Sequence, residues 1–176
     1  MEYNLRHIKT TNQLVNTIIF PGSVLPSSYS NASFPINDTL AILENSSNES
    51  RDLRLSSFLI YIPIVSERVF HSSSKAPIAI PALLCLAPNN QADFFIIHFH
   101  ANSCDIGEIS FCADLESLHC NSHYLILEYP GYGIAEGFPS EHEINRISRI
   151  VYDYIISNFD IPSDRIIIFG RSIGNS

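Results

Sequence analysis

The sequence is short of charge, above all of positive charge. Charged residues make up 16% of its 176 residues, with 10 Lys and Arg against 18 Asp and Glu, so the formal net charge is −8. Because nucleic-acid backbones are bound through Lys and Arg, we expect no nucleic-acid partner. A hydrophobic content of 45% is typical of a globular domain with a sizeable core.

Long apolar runs are absent too. No segment reaches the roughly 18 apolar residues that a membrane span needs. The N-terminus is a poor signal peptide, because its apolar patch is short and broken by Asn16 and Thr17. Glu2 stands where a myristoylation signal needs glycine. We therefore predict a cytoplasmic protein, with peripheral membrane association as the alternative.

Cysteines at metal-binding spacing are also missing. Cys85, Cys104, Cys112 and Cys120 include no C-x-x-C pair, so neither a metal site nor a disulfide framework is expected. The prediction is four reduced thiols in the core of a cytosolic protein.

Two regions of different composition divide the chain. Residues 1–54 are predicted to be an N-terminal extension, with a flexible Ser/Asn-rich segment at 27–50. From residue 55, apolar runs of strand length alternate with helical patterns. The predicted strands are 57–65, 78–86, 94–99, 124–129 and 165–169. Pro63 and Pro81 favour edges or bulges for the first two strands.

Two helices are predicted between these strands. The first spans 105–119, with Phe111, Leu115 and Leu118 on one apolar face. The second begins at the capping box 140–143. Its apolar face comprises Ile144, Ile147, Val151 and Ile155. Alternating strands and helices predict an α/β fold with a mostly parallel, doubly wound sheet.

The last predicted strand leads directly into a G-x-S-x-G motif formed by Gly170, Ser172 and Gly174. After an apolar strand this motif is typical of the nucleophile elbow of α/β-hydrolases. A serine on such a sharp turn has strained backbone angles, and the glycines leave room where a Cβ would clash. The sequence therefore predicts Ser172 as a catalytic nucleophile, with Gly170 and Gly174 supporting it.

A second motif, HANS at 100–103, follows the strand Phe94–Phe99. In α/β-hydrolases the loop after this strand and the residue after the nucleophile each supply an N–H to the oxyanion hole. Asn102 and Ile173 are predicted for these roles. Ala101 belongs to the same loop, and His100 is predicted to brace it by hydrogen bonds rather than to act as the base.

Three segments carry a resemblance to a known family. HFHANSCDIGEI, LEYPGYGIAEGFPSE and IIIFGRSIGNS resemble the α/β-hydrolase-domain 17 family and the related Bem-like serine hydrolases, close to the serine-aminopeptidase-like group. The match runs from about residue 78 to 176. Ala101 stands where that family usually has glycine, Ser103 where it has alanine, and Ala135 where it has serine. The resemblance implies the α/β-hydrolase fold and a serine hydrolase.

The described motifs supply the serine of a catalytic Ser–His–acid triad, but not its acid and histidine. In α/β-hydrolases the acid and the histidine follow the serine, whereas all seven histidines here precede Ser172. We therefore expect the N-terminal part of an α/β-hydrolase domain over 55–176, cut after the nucleophile elbow. The strand before Ser172 is then expected to leave an apolar open edge.

The leading hypothesis is a serine hydrolase that cleaves an ester, thioester or amide without a metal or cofactor. Its substrate is predicted to be a small molecule or an acylated protein. The alternative is an inactive hydrolase-fold protein that serves as a binding or scaffold protein. A dinucleotide-binding domain is disfavoured, because Glu136 follows Gly131 and Gly133 where a third glycine is required.

Overall fold

The computed structural model describes residues 56–64 and 79–175 of the chain. The predictions for the extension 1–54, including its segment 27–50, lie outside the described residues.

Five strands form one sheet in the described residues. They are β1 (Ser56–Pro63), β2 (Ala79–Leu86), β3 (Phe94–Phe99), β4 (Ser122–Leu127) and β5 (Ile166–Gly170). Their order across the sheet is β1-β2-β4-β3-β5. The β3 strand runs parallel to both β4 and β5, whereas β2 pairs antiparallel with β1 and β4. Four of the five strands therefore point the same way, which confirms the mostly parallel sheet.

Two α-helices follow the parallel strands. Helix α1 (Ile106–His119) begins at Asp105, whose carboxylate accepts a hydrogen bond from the Glu108 N–H at 2.9 Å. Helix α2 (Glu141–Asn158) begins at Ser140, whose hydroxyl oxygen accepts from the Glu143 N–H at 3.2 Å. Both helices thus start at an acceptor side chain that satisfies a free backbone donor, as predicted for the second.

The two helices cover opposite faces of the sheet, as a doubly wound fold requires. On one face, Ile147, Val151 and Ile155 of α2 pack in a cluster with Phe95 and Leu125. On the other face, a second cluster joins residues of α1 to β2, β3 and β4, among them Ile106, Ala113, Leu83, Ile96 and Ile126. The sheet therefore has buried side chains on both faces.

The prediction for Pro81 was wrong. It lies in β2, between β1 and β4, and not on an edge. Its carbonyl accepts from the Glu128 N–H at 2.9 Å, just past the last β2–β4 pair at Ala82 and Leu127. The N–H and C=O of a residue in an antiparallel strand point to the same neighbouring strand. The side on which Pro81 lacks an N–H is therefore the β4 side, just past the last β2–β4 pair. The hydrogen bonds between β2 and β1 do not need this donor.

The predicted apolar face of α1 was also wrong. Leu115 and Leu118 are exposed, while the buried residues of the helix include the small Ala113 and Ser117. Small side chains let the helix lie close to the sheet, and the Ser117 hydroxyl donates to the Ser122 carbonyl at 2.7 Å. The positions of the large apolar side chains therefore did not identify the face of α1 that packs on the sheet.

The cysteine prediction holds in one part and fails in another. All four thiols are free in the structure, but only Cys85 is buried. Cys104 is half-buried, and Cys112 and Cys120 are exposed. Cys112 lies on α1, and Cys120 is the residue that ends it.

At the far end of the described sheet, β5 has one neighbouring strand, β3. Its residues Ile167, Ile168 and Phe169 are each about half exposed, in keeping with the open apolar edge expected from the sequence. In the described ranges, no helix combines the length and apolarity needed to cross a bilayer.

Candidate active site

The carboxyl ends of β3 and β5 bring the two sequence motifs to one edge of the sheet. These strands are parallel neighbours, with Phe99 paired to Gly170. The Arg171 N–H donates to the Phe99 carbonyl oxygen at 3.0 Å. The loop that starts at His100 and the turn that carries Ser172 therefore leave the sheet side by side.

Ser172 stands on a strained turn. Its φ is +57°, in the left-handed region that L-residues other than Asn and Asp rarely occupy. A short 3-10 turn, Ser172–Asn175, begins there, and the Gly174 N–H donates to the Arg171 carbonyl at 3.1 Å. The side chain is exposed. Such a strained, exposed serine directly after a strand has the geometry of a nucleophile elbow.

At both glycines of the motif, neighbouring atoms leave no room for a Cβ. A Cβ on Gly170 would overlap the Gly174 carbonyl group and lie 2.7 Å from Asn175 Oδ1. A Cβ on Gly174 would overlap the Phe99 carbonyl oxygen and lie 2.8 Å from the Phe99 Cβ. The turn therefore closes on itself and on the end of β3 only when both positions are glycine.

The loop after β3 is short and half-buried. The Cys104 N–H donates to the Ala101 carbonyl at 3.1 Å, which closes a turn over 101–104. Ala101 and Asn102 are half-buried. Ile173, on the neighbouring turn, packs partly buried against the core cluster on the α2 face. The backbone of residues 101–102 and that of residue 173 are thus at the same edge of the sheet.

His100 is enclosed rather than presented to a substrate. Its side chain is fully buried, with Nε2 3.0 Å from Glu128 Oε1 and Nδ1 3.0 Å from the Ala101 carbonyl. Both ring nitrogens are therefore occupied by protein oxygens. These two contacts tie the ring to the start of the loop and to Glu128.

Glu128, Tyr129 and Tyr132 are residues that the sequence reasoning missed. All three are fully buried and contact the loop after β3. Burial raises the pKa of Tyr132, with the nearby Glu128 carboxylate as a second cause, so its hydroxyl keeps its proton and donates to Asn102 Oδ1. One signal was present: a carboxylate and two phenols directly follow an apolar strand at the edge predicted for the site.

His98, near the end of β3, has a lowered pKa. Burial lowers the pKa of its imidazole from 6.5 to about 4, and electrostatic interactions with the nearby His100 and Arg171 add to this effect. The Tyr124 hydroxyl lies 3.0 Å from its Nδ1, and the Phe169 ring lies 4.8 Å away. His98 is therefore neutral at physiological pH.

Comparison with solved structures identifies the fold. An esterase from Pyrobaculum calidifontis aligns with 98% of this chain and 48% of its own, with a TM-score of 0.53 at 10% sequence identity. The chain has the α/β-hydrolase fold. The turn at Ser172 and the loop at 100–103 lie together at the carboxyl edge of this sheet.

Curated sequences support the same relationship. The chain is similar to the α/β-hydrolase domain-containing protein aho-3 of Caenorhabditis elegans, with 31% identity over 94 residues. It is also similar to the mouse α/β-hydrolase domain-containing protein 17C, with 29% identity over 90 residues. The predicted resemblance to the α/β-hydrolase-domain 17 and Bem-like proteins is thereby confirmed. No family model matches the chain.

These alignments cover a minor part of each relative. The matched residues are 53% of this chain and 28% of aho-3, and 50% of the chain and 27% of protein 17C. The chain thus spans well under two thirds of the length of the proteins that it matches.

Proposed function

We propose that this chain is part of a serine hydrolase in which Ser172 is the nucleophile. One observation carries the proposal. A serine with a positive φ lies at the carboxyl end of β5 in a mostly parallel sheet, between two glycines whose Cβ positions are filled by backbone. Backbone strain of this kind costs about 1–3 kcal/mol and is typical of functional sites.

The proposed reaction is acyl transfer. The Ser172 hydroxyl attacks the carbonyl carbon of an ester, thioester or amide, and a base takes its proton. The backbone N–H groups of Asn102 and Ile173 hold the oxyanion that forms on the carbonyl oxygen. Removal of one such donor typically lowers kcat by about 10²–10³-fold.

The base and the acid are proposed to lie outside the described residues. Of the two histidines at the end of β3, His100 has both ring nitrogens bonded, and His98 is half-buried with its Nδ1 3.0 Å from the Tyr124 hydroxyl. The relatives also extend well beyond the matched segment. The substrate is proposed to be a small molecule or an acylated protein in the cytoplasm or at a membrane surface. Acyl transfer of this type needs no metal or cofactor.

Turnover of a p-nitrophenyl ester tests this proposal. The 176-residue chain and the full-length protein would be purified and compared, each with a Ser172→Ala variant. Ser163→Ala is the matched control, because Ser163 is also exposed in a 3-10 turn, at the amino end of β5. We expect turnover by the full-length protein and its Ser163→Ala variant, and none by Ser172→Ala or by the short chain.

Two outcomes would contradict the proposal. Turnover that persists in Ser172→Ala would remove Ser172 from the mechanism. A folded full-length protein without any turnover would favour the alternative, an inactive binding or scaffold protein.

A further inference from the structure

We propose that the segment 128–132, which follows β4, positions the oxyanion loop, with Glu128, Tyr129 and Tyr132 as its positioning residues. This inference rests on the proposed function. Three side chains of the segment, those of Glu128, Tyr129 and Tyr132, are fully buried and reach across to residues 100–102.

Glu128 ties the loop to helix α1. One carboxylate oxygen, Oε1, lies 3.0 Å from His100 Nε2, and the other, Oε2, accepts from the Ile106 N–H at 3.1 Å. That N–H is at the first turn of α1, where backbone donors lack partners within the helix and the dipole favours a negative group. One buried carboxylate therefore joins the start of the loop to the helix that follows it.

The protonation of the His100–Glu128 pair follows from its partners. The Ala101 carbonyl oxygen can only accept, and it lies 3.0 Å from His100 Nδ1, so Nδ1 carries a proton. One further proton lies between Nε2 and Oε1, on either the nitrogen or the oxygen. In both forms the pair has no net charge, which is the state that a buried site favours.

The neutral pair makes a sharp prediction about substitutions. A glutamine at 128 can accept from the Ile106 N–H with its oxygen and donate to His100 Nε2 with its amide nitrogen. It therefore reproduces the hydrogen bonds and the net charge of the pair. A leucine has a similar size but leaves His100 Nε2 and the Ile106 N–H without this partner.

The two tyrosines hold the backbone on both sides of Ala101. The Tyr129 hydroxyl donates to the His100 carbonyl oxygen at 2.8 Å, and its ring lies 4.1 Å from the imidazole. The Tyr132 hydroxyl donates to Asn102 Oδ1. With residue 100 fixed at its carbonyl and residue 102 at its side chain, the direction of the backbone N–H at 102 is set from outside the loop.

Such positioning bears on the rate of the chemical step more than on substrate binding. An oxyanion donor acts on charge that develops in the transition state, and a displacement of about 1 Å can lower the rate about 100-fold. Loss of a positioning residue should therefore lower kcat and leave KM nearly unchanged.

The first test compares two substitutions of Glu128 in the full-length protein. We expect Glu128→Gln to keep kcat for a p-nitrophenyl ester within about threefold of the wild type. We expect Glu128→Leu to lower kcat by about 100-fold at unchanged KM. Equal kcat values for folded Gln and Leu variants would overturn the role of Glu128.

The second test does not depend on Glu128→Leu folding. Tyr132→Phe removes one buried hydroxyl at the loop. Tyr124→Phe is its matched control, because it also removes a buried tyrosine hydroxyl between β4 and β3, but one that contacts His98. We expect kcat to fall about tenfold or more in Tyr132→Phe and to stay within about twofold in Tyr124→Phe.

Amide exchange separates this inference from the proposed function. The inference predicts faster exchange over 101–104 in Tyr132→Phe and unchanged exchange there in Tyr124→Phe, whether or not the protein hydrolyses an ester. Equal exchange in the two variants would overturn the positioning role, even if Ser172 proved to be the nucleophile. A wild type without esterase activity but with this exchange difference would refute the function and support the positioning.

Discussion

The turn at 170–175 and the loop at 100–104 leave neighbouring strands of one sheet, yet the chain fixes them by different means. The turn is held by backbone, through the Arg171 N–H on the Phe99 carbonyl and through glycines that fit against main-chain atoms. The loop is held by side chains, which reach it from the segment after β4.

This difference predicts which substitutions each element tolerates. A backbone-held turn is insensitive to the chemistry of its side chains but sensitive to a single added Cβ. A side-chain-held loop accepts changes that keep the hydrogen bonds and fails when one partner is lost, since an unsatisfied buried group costs about 1–3 kcal/mol.

The largest expected effect is that of Gly174→Ala. The added Cβ overlaps the Phe99 carbonyl, so either the turn or the end of β3 must move. We expect a loss of about 3 kcal/mol in the free energy of unfolding, which is typical of severe overpacking, and loss of ester hydrolysis by the full-length protein. Urea denaturation and the p-nitrophenyl assay measure the two effects.

The control for this substitution is Gly107→Ala. Gly107 lies in the first turn of α1, where alanine is the better helix former, and a gain of up to about 1 kcal/mol is expected. If Gly174→Ala were as well tolerated as Gly107→Ala, the backbone-held description of the turn would be wrong.

Acid should weaken the strands that carry the side-chain-held loop. Burial lowers the pKa of His123 from 6.5 to about 4, and its Nδ1 accepts from the Ala87 N–H at 3.1 Å. The unfolded chain then binds a proton that the folded chain does not, so stability present above pH 6.5 is lost as the pH falls towards 4. For His123 alone this amounts to about 2 kcal/mol at pH 5.

Urea midpoints between pH 7 and pH 4 test this expectation. His123→Gln should flatten the acid dependence, whereas His142→Gln should leave it unchanged, because the His142 side chain is 85% exposed. Identical acid slopes in the two variants would show that His123 is not a source of the pH dependence.

A smaller effect is expected away from the site. Ser140→Ala removes the side chain that caps α2 and should lower the free energy of unfolding by about 1 kcal/mol. Ser148→Ala, in the middle of the same helix, removes only a bond to the Ile144 carbonyl and should cost less than half as much. Ester hydrolysis should survive in both, and a kcat that fell with Ser140→Ala would mean that α2 helps to position the site.

Features supported by residues close in sequence, such as β3, the turn at Ser172 and the buried face of α2, could be predicted from the sequence. Strand β3 was predicted to the residue because FFIIHF is nearly continuous apolar sequence. The turn at Ser172 was predictable because the glycines that form it lie two residues on either side, although it also rests on Phe99. The α2 face was predictable from its helical period, since Ile147, Val151 and Ile155 are buried as expected.

The support of the loop was not predictable in this way. Glu128 and Tyr129 were assigned to the end of a strand, whereas β4 ends at Leu127 and both residues turn towards the loop. Their partner His100 lies 28 residues before Glu128 in the chain. No sequence pattern links positions so far apart. The His100–Glu128 pair can therefore be recognised only once the order of the strands in the sheet is known.

Covalent labelling by a fluorophosphonate probe, with the modified residue located by mass spectrometry, tests the central claim most directly. The probe reacts with a serine that a neighbouring base activates, and an isolated hydroxyl is a weak nucleophile. We predict one labelled residue in the full-length protein, Ser172, no labelling of Ser172→Ala, and undiminished labelling of Ser163→Ala. Labelling of Ser172→Ala at an unchanged rate, or a wild type labelled at another serine, would contradict the assignment of Ser172 as the nucleophile.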